Sequence, residues 1–249
     1  MASEVSLAAE KVFHLGPLPI TNSLLATWAV MVILIVGAFI LNKKIQKEKP
    51  GGFQNLVEMI FEGALNLMDS VTQDRQQSLK FFPFVFTLFI LIILGNWFGL
   101  MPGVGTVGFH EIHEGKELFV PLLRGSAADL NFTLALAAIS VVATQVIAIF
   151  TLGTWKHLKK YINFKNPILG FVGALEGISE FAKILSFSFR LFGNIFAGEV
   201  LLIVIGLIIP YLVPIPFLFL ELFVGFIQAF IFSVLTLVFL KIATTASEH

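Results

Sequence analysis

Six ionisable side chains stand inside stretches that are otherwise apolar, apart from Lys241 at the very end of the last. Glu176, Glu180, Lys183, Arg190 and Glu199 fall within residues 167–209, and Glu221 falls within 214–242. In a membrane helix each such charge costs about 2.5–3.5 kcal/mol even on a lenient insertion scale, and an ion path or a buried pair is the usual reason to keep one. At about 100° per helical residue, Glu176, Glu180, Lys183, Arg190 and Asn194 share one face. Glu199 falls about 180° from Arg190 on the same scale, so the two face different environments. Glu221 and Gln228 are seven apart and share a face. The Arg190 guanidinium is charged at any physiological pH. It sits among Phe187, Phe189, Leu191 and Phe192, with no acid one turn away. A fixed cation there can draw a carboxylate and favour loss of its proton, and it is a barrier to free cations. Two local readings stay open: Glu180 and Lys183 form an i,i+3 salt bridge, and Glu199 and Glu221 bind water at a vestibule.

Other chemistries find no support. The chain has no Cys, hence no thiol nucleophile, disulfide or Cys-ligated metal. His110, Glu111, His113 and Glu114 resemble HExxH only superficially, because position 114 is Glu where the second His belongs. No G-x-x-x-x-G-K-[ST] loop is present to hold ATP, and no metal or cofactor is expected. An intramembrane hydrolase would need a nucleophile–base pair or a metal motif. A secondary transporter would show paired half-helices and an internal repeat. Neither pattern occurs.

These charges need elements to position them. Hydrophobic residues make up 57% of the 249 and charged residues 13%, with 28 Phe. A soluble domain carries about 25% charge, so the composition is that of an all-α polytopic membrane protein with a single membrane domain, 1–249. Net charge is zero, and no global basic field points to nucleic acid. Residues 1–20 lack the basic-then-apolar pattern of a signal peptide. Five spanning regions are expected: Leu24–Leu41, Phe81–Met101, Leu130–Leu152, Pro167–Ile209 and Pro214–Ile242. The fourth would be about 65 Å long as a helix, roughly twice the hydrocarbon thickness. It must tilt strongly, leave the bilayer, or break.

If the five alternate, eleven Lys and Arg (Lys43, Lys44, Lys47, Lys49, Arg75, Lys80, Lys156, Lys159, Lys160, Lys165 and Lys241) share one side. Lys11, Lys116 and Arg124 take the other. The bias predicts an external N-terminus and a cytoplasmic C-terminus, with an external tail over 1–22 and an external, solvated acidic loop over 102–129. After the break at Pro50-Gly51-Gly52, apolar residues recur at helical spacing over 53–74. That segment either lies on the cytoplasmic surface as an amphipathic helix or packs as an arm on the spans.

The run Arg190-Leu191-Phe192-Gly193-Asn194-Ile195-Phe196-Ala197-Gly198-Glu199 resembles the signature of subunit a of F-type ATP synthases. Weaker likenesses extend it over nearly the whole chain. They are Ile20-Thr21-Asn22-Ser23, Gly95-Asn96-Trp97-Phe98-Gly99-Leu100-Met101-Pro102-Gly103, Leu123-Arg124, Ala128-Asp129-Leu130-Asn131, Gln228-Ala229-Phe230-Ile231-Phe232 and Ala246-Ser247-Glu248-His249. The resemblance implies an ion-translocating, non-catalytic stator in a bacterial inner membrane. It would face a rotating c-ring whose subunits each carry a membrane carboxylate, and it would contact b-type peripheral stalk subunits of the same complex and the lipid bilayer.

The family's essential arginine matches Arg190 and its inlet acid Glu199. Asn194 and Gln228 match polar positions near the arginine, and Glu176, Ser179 and Ser186 match positions linked to the cytoplasmic half-channel. The last two helices, 167–242, are implied to form a long tilted hairpin against the ring. Protons or sodium ions would enter past Glu199 and Glu221, ride the ring, and leave near Glu176, with Arg190 separating the two half-channels. One departure stands out. The bacterial pattern of the family pairs Glu at the position of Glu199 with His at that of Glu221, another branch swaps the two, and here both are Glu. Two neighbouring carboxylates titrate as a coupled pair, so a relay through a shared proton or water is expected in place of imidazole.

Overall fold

Side-chain caps mark where the chain turns helical. In the computed structural model, which describes residues 9–45, 51–113, 116–154, 167–209 and 212–245, Thr21 caps helix α1 (Asn22–Lys44) by accepting from the Leu24 amide. Helix α2 (Gly52–Thr72) follows Gly51. Asp74 caps helix α3 (Arg75–Gly99) through the Gln76 amide, and Asp129 caps helix α4 (Leu130–Leu152) through that of Asn131. Each oxygen satisfies one of the amides a helix start leaves without a partner. Helices α5 (Pro167–Ile208) and α6 (Pro214–Thr244) complete the set. α1, α3, α4, α5 and α6 are long and apolar enough to cross a membrane. They match the five expected regions, with α3 starting earlier because the polar turn Arg75-Gln76-Gln77-Ser78 is also helical.

α5 is a single helix of 42 residues, so the broken alternative for the fourth region is excluded. At 1.5 Å per residue it is about 63 Å long. It packs on α4 and α6, with Phe187, Leu191 and Ile195 meeting Leu136 and Ala137 of α4 and Ala229 and Phe232 of α6 in one buried cluster. Hydroxyl pairs tie the helices at depth: Thr133 with Ser188 at 3.0 Å and Ser140 with Thr236 at 2.8 Å. Such interhelical bonds contribute on average about 0.6 kcal/mol each.

α2 leaves its first half unpacked and packs its end on the spans. Phe53, Leu56, Met59, Ile60 and Phe61 are exposed. Toward its end Met68 and Val71 pack on Phe81 and Val85 of α3 and on Leu237 and Leu240 of α6. α2 has no basic residue in its last turn. Lys241 of α6 fills that role, its Nζ donating to the Thr72 carbonyl, where a helix end favours a cation. Arg75 pairs with Asp69 at 2.6 Å, and Lys80 Nζ donates to Thr151 Oγ1 at 3.2 Å. The starts of α3 and the ends of α2, α4 and α6 therefore share one basic end. Lys47, Lys49, Pro50, Glu114, Trp155, Lys156, His157, Lys159, Lys160, Lys165 and the stretch 246–249 lie outside the described residues.

The opposite end departs from expectation. The tail folds into an antiparallel hairpin, β1 (Lys11–Leu15) with β2 (Leu18–Thr21), turning at Gly16 with φ +64°. The acidic loop folds into a second, β3 (Gly108–His113) with β4 (Lys116–Pro121), followed by a 3-10 turn over Ser126–Ala128. The β-prone run Leu118-Phe119-Val120 is too short to read as a span and has a strand partner in Phe109 and its neighbours. Asn22 stitches both hairpins to α1. Its amide nitrogen reaches Glu10 Oε2 at 3.4 Å and the Pro121 carbonyl at 3.3 Å. Ser23 Oγ donates to Asp129 Oδ2 at 2.6 Å.

Candidate functional site

The run Gly125-Ser126-Ala127-Ala128 is small enough to lie directly on α3. A Cβ added at Gly99 would stand 2.8 Å from the Gly125 Cα, so the two backbones touch. That contact brings the preceding residue, Arg124, down beside α5. The Arg124 guanidinium, only 7% exposed, grips Glu199 with Nε to Oε1 at 3.0 Å and Nη2 to Oε2 at 2.9 Å. A two-pronged arginine–carboxylate contact fixes orientation as well as charge.

From the other side α6 presents Glu221, 6% exposed. It lies so close to α5 that a Cβ on Gly198 would fall on its carboxylate. α6 is itself held by α3, with Asn96 Nδ2 donating to the Gly225 carbonyl and Trp97 Nε1 to the Leu222 carbonyl, both at 3.0 Å. These groups enclose a cavity of about 360 Å³ lined by Glu10, Asn96, Arg124, Ile195, Glu199 and Glu221, with Phe119 of β4 at its edge. Asn96 Oδ1 is buried there with no protein hydrogen-bond partner among the described residues. Three carboxylates and an amide oxygen around a cavity of this size can accept protons and hold water.

The remaining expected site residues fall elsewhere. Arg190 and Asn194 are exposed on the side of α5 turned away from the cluster of Phe187, Leu191 and Ile195. Ser179 and Ser186 are exposed on that helix nearer its start, and Glu176 is half-buried. Around them the exposed surface carries Ile178, Phe181, Leu185, Phe189 and Leu201, interrupted by Gly193 and Ala197. The Glu180–Lys183 pair forms at 2.6 Å, and the lysine also lies over the Phe239 ring at 4.4 Å. Gln228 is buried and not in the cavity wall. The structure thus brings Glu199 and Glu221 together and keeps Arg190 apart from them, as the helical phase requires.

In the sequence alone Arg124 is one of the external charges, and Asn96, Gly198 and Glu10 carry no role of their own. A signal for Arg124 was present in the small-residue run after it, which permits a close backbone approach. Nothing local marks Glu10, whose place depends on the hairpin.

Comparison with known proteins matches residues 24–241 to the ATP synthase A chain family. Curated relatives named ATP synthase subunit a align almost end to end. The protein from Moorella thermoacetica is 31% identical over 92% of this chain and 94% of its own length. The one from Gloeobacter violaceus is 33% identical over 95% and 89%. The one from Legionella pneumophila is 32% identical over 98% and 96%.

Proposed function

Since the chain belongs to the ATP synthase A chain family, and is thereby the multi-pass, ion-translocating, non-catalytic stator subunit of an F-type ATP synthase, we propose that its two sets of charges serve two offset half-channels. The cavity with Glu199 and Glu221 is the outer inlet. The exposed face of α5 carrying Arg190 meets the c-ring. Glu176, Ser179 and Ser186 line the cytoplasmic outlet, with Asn194 and Gln228 as polar neighbours of the arginine. The eleven-to-three charge bias sets the N-terminus outside and the C-terminus in the cytoplasm of a bacterial inner membrane. Stalk subunits of the b type hold the stator against rotation.

The observation that carries this reading is the division of one helix. Within nine residues α5 turns Glu199 into a lined cavity and leaves Arg190 exposed on another side. A proton, or a sodium ion, passing the cavity neutralises a ring carboxylate. The neutral site rotates into lipid, and after nearly a full turn it discharges toward Glu176. Arg190 then draws the emptied carboxylate, because a fixed cation in a low-dielectric place acts more strongly than in water. It also stops ions crossing directly between the half-channels. One charge moving through 100 mV releases about 2.3 kcal/mol, which the ring carries to the ATP-forming sector.

Arg190→Ala tests the assignment in membrane vesicles holding the assembled complex. ATP synthesis should vanish and passive ion conductance should rise. Arg190→Lys keeps a charge without the planar fork; it should fail in synthesis and leak less than Ala. Near-normal synthesis with Ala would remove Arg190 from the mechanism, and lost synthesis without leak would remove its barrier role.

A further inference from the structure

Glu199 and Glu221 are equivalent in type, and the sequence offers them as a symmetrical pair. Their surroundings are not symmetrical. Both Glu199 oxygens face the Arg124 fork at 2.9–3.2 Å. Glu221 lies in the same cavity wall, tucked over Gly198, on a helix whose backbone is fixed by Asn96 and Trp97. The fork is delivered by a loop seated on α3, and its arginine is more buried than the glutamate it holds. A carboxylate gripped at both oxygens has an acceptor site on each committed to the guanidinium, and protonating it weakens charge-assisted bonds. A carboxyl beside it without that grip can take up and release an ion with less rearrangement.

Building on the inlet reading above, we propose that Arg124 is a positioning residue that fixes Glu199 by its two-pronged contact, leaving Glu221 as the carboxyl that exchanges the transported ion. The arginine touches no ring site. It acts through Glu199, which becomes the fixed wall of the inlet while Glu221 becomes its moving part.

Two sets of substitutions in the assembled complex test this, each scored as ATP synthesis per assembled complex in inverted vesicles. In the first, Arg124→Gln should lower the rate about tenfold in the wild-type background, since loosening one partner of a buried charge pair costs the other its fixed place. In the Glu199→Gln background the same substitution should add less than about twofold. Arg124→Lys retains a cation for Glu199 but loses the fork, so its rate should fall between those of the glutamine variant and the wild type. Equal effects of Arg124→Gln in both backgrounds, or a lysine as good as arginine, would overturn the positioning role.

In the second set, Glu221→His should retain a substantial rate, because imidazole can also exchange a proton. Glu199→His should fall about tenfold further than Glu221→His, because an imidazole nitrogen receives one arm of the fork and not both. Equal tolerance of His at the two positions would overturn the division of labour. Where a variant assembles poorly, the histidine pair and the lysine variant still decide the question. The Arg190→Ala result separates failure of this proposal from failure of the half-channel reading, since Arg190 lies outside the cavity.

Discussion

Gly198→Ala places a methyl group where the structure has the Glu221 carboxylate. The collision is with the far end of a side chain, so the backbones of α5 and α6 need not part. Glu221 instead swings to another rotamer in a buried site. A side chain forced about 30° off its rotamer costs about 0.5–1.5 kcal/mol, and each 1.36 kcal/mol is tenfold in rate. With the added loss of the carboxylate's place in the cavity wall, synthesis per complex should fall roughly tenfold while the amount of assembled complex stays near wild type. Shortening the acid should relieve the clash, so Gly198→Ala combined with Glu221→Asp should recover part of the rate. The assay is ATP synthesis in inverted vesicles, normalised to complex recovered by native electrophoresis. Gly99→Ala is the internal contrast. Its Cβ would stand 2.8 Å from the Gly125 Cα, backbone against backbone, and overpacking of that kind costs about 1–3 kcal/mol. It should reduce assembled complex. A wild-type rate for Gly198→Ala with normal assembly would refute the placement of Glu221 and the inlet built on it.

Lys241→Met removes the cation from the end of α2 and should lower thermal stability of the complex by about 1 kcal/mol, read as an earlier loss of α2–α3–α6 packing in limited proteolysis; unchanged resistance would show the contact to be idle. The absence of native Cys makes topology directly measurable. A cysteine at exposed Leu18 should react with impermeant thiol reagents from outside, and one at exposed Thr245 only from the cytoplasmic side; the reverse labelling would overturn the orientation.

The helices were legible because their signals are local. Apolar runs of the right length place α1, α4 and α6 within a few residues, and α3 apart from its polar first turn and a half. Helical phase alone separates Arg190 from Glu199. What could not be read depends on contacts distant in sequence. Arg124 meets Glu199 across 75 positions, and its role comes from the Gly125 seat on Gly99. The hairpins were missed because their strands of four to six residues lack the alternation that distinguishes a strand from a polar loop.

The long reach of these contacts bears on how the subunit is made. Ser23 waits for a partner 106 residues further along, and the donors of Asn96 and Trp97 wait for carbonyls 129 and 125 residues away. During synthesis, α1 and α3 therefore enter the bilayer with polar groups whose native partners do not yet exist. Arg124 and Glu199 both precede α6 in the chain, so their pairing needs no residue of that helix. Glu221 arrives with that last helix, and only then is the cavity wall complete. A chain cut short before residue 221 therefore lacks one of the carboxylates that line the cavity.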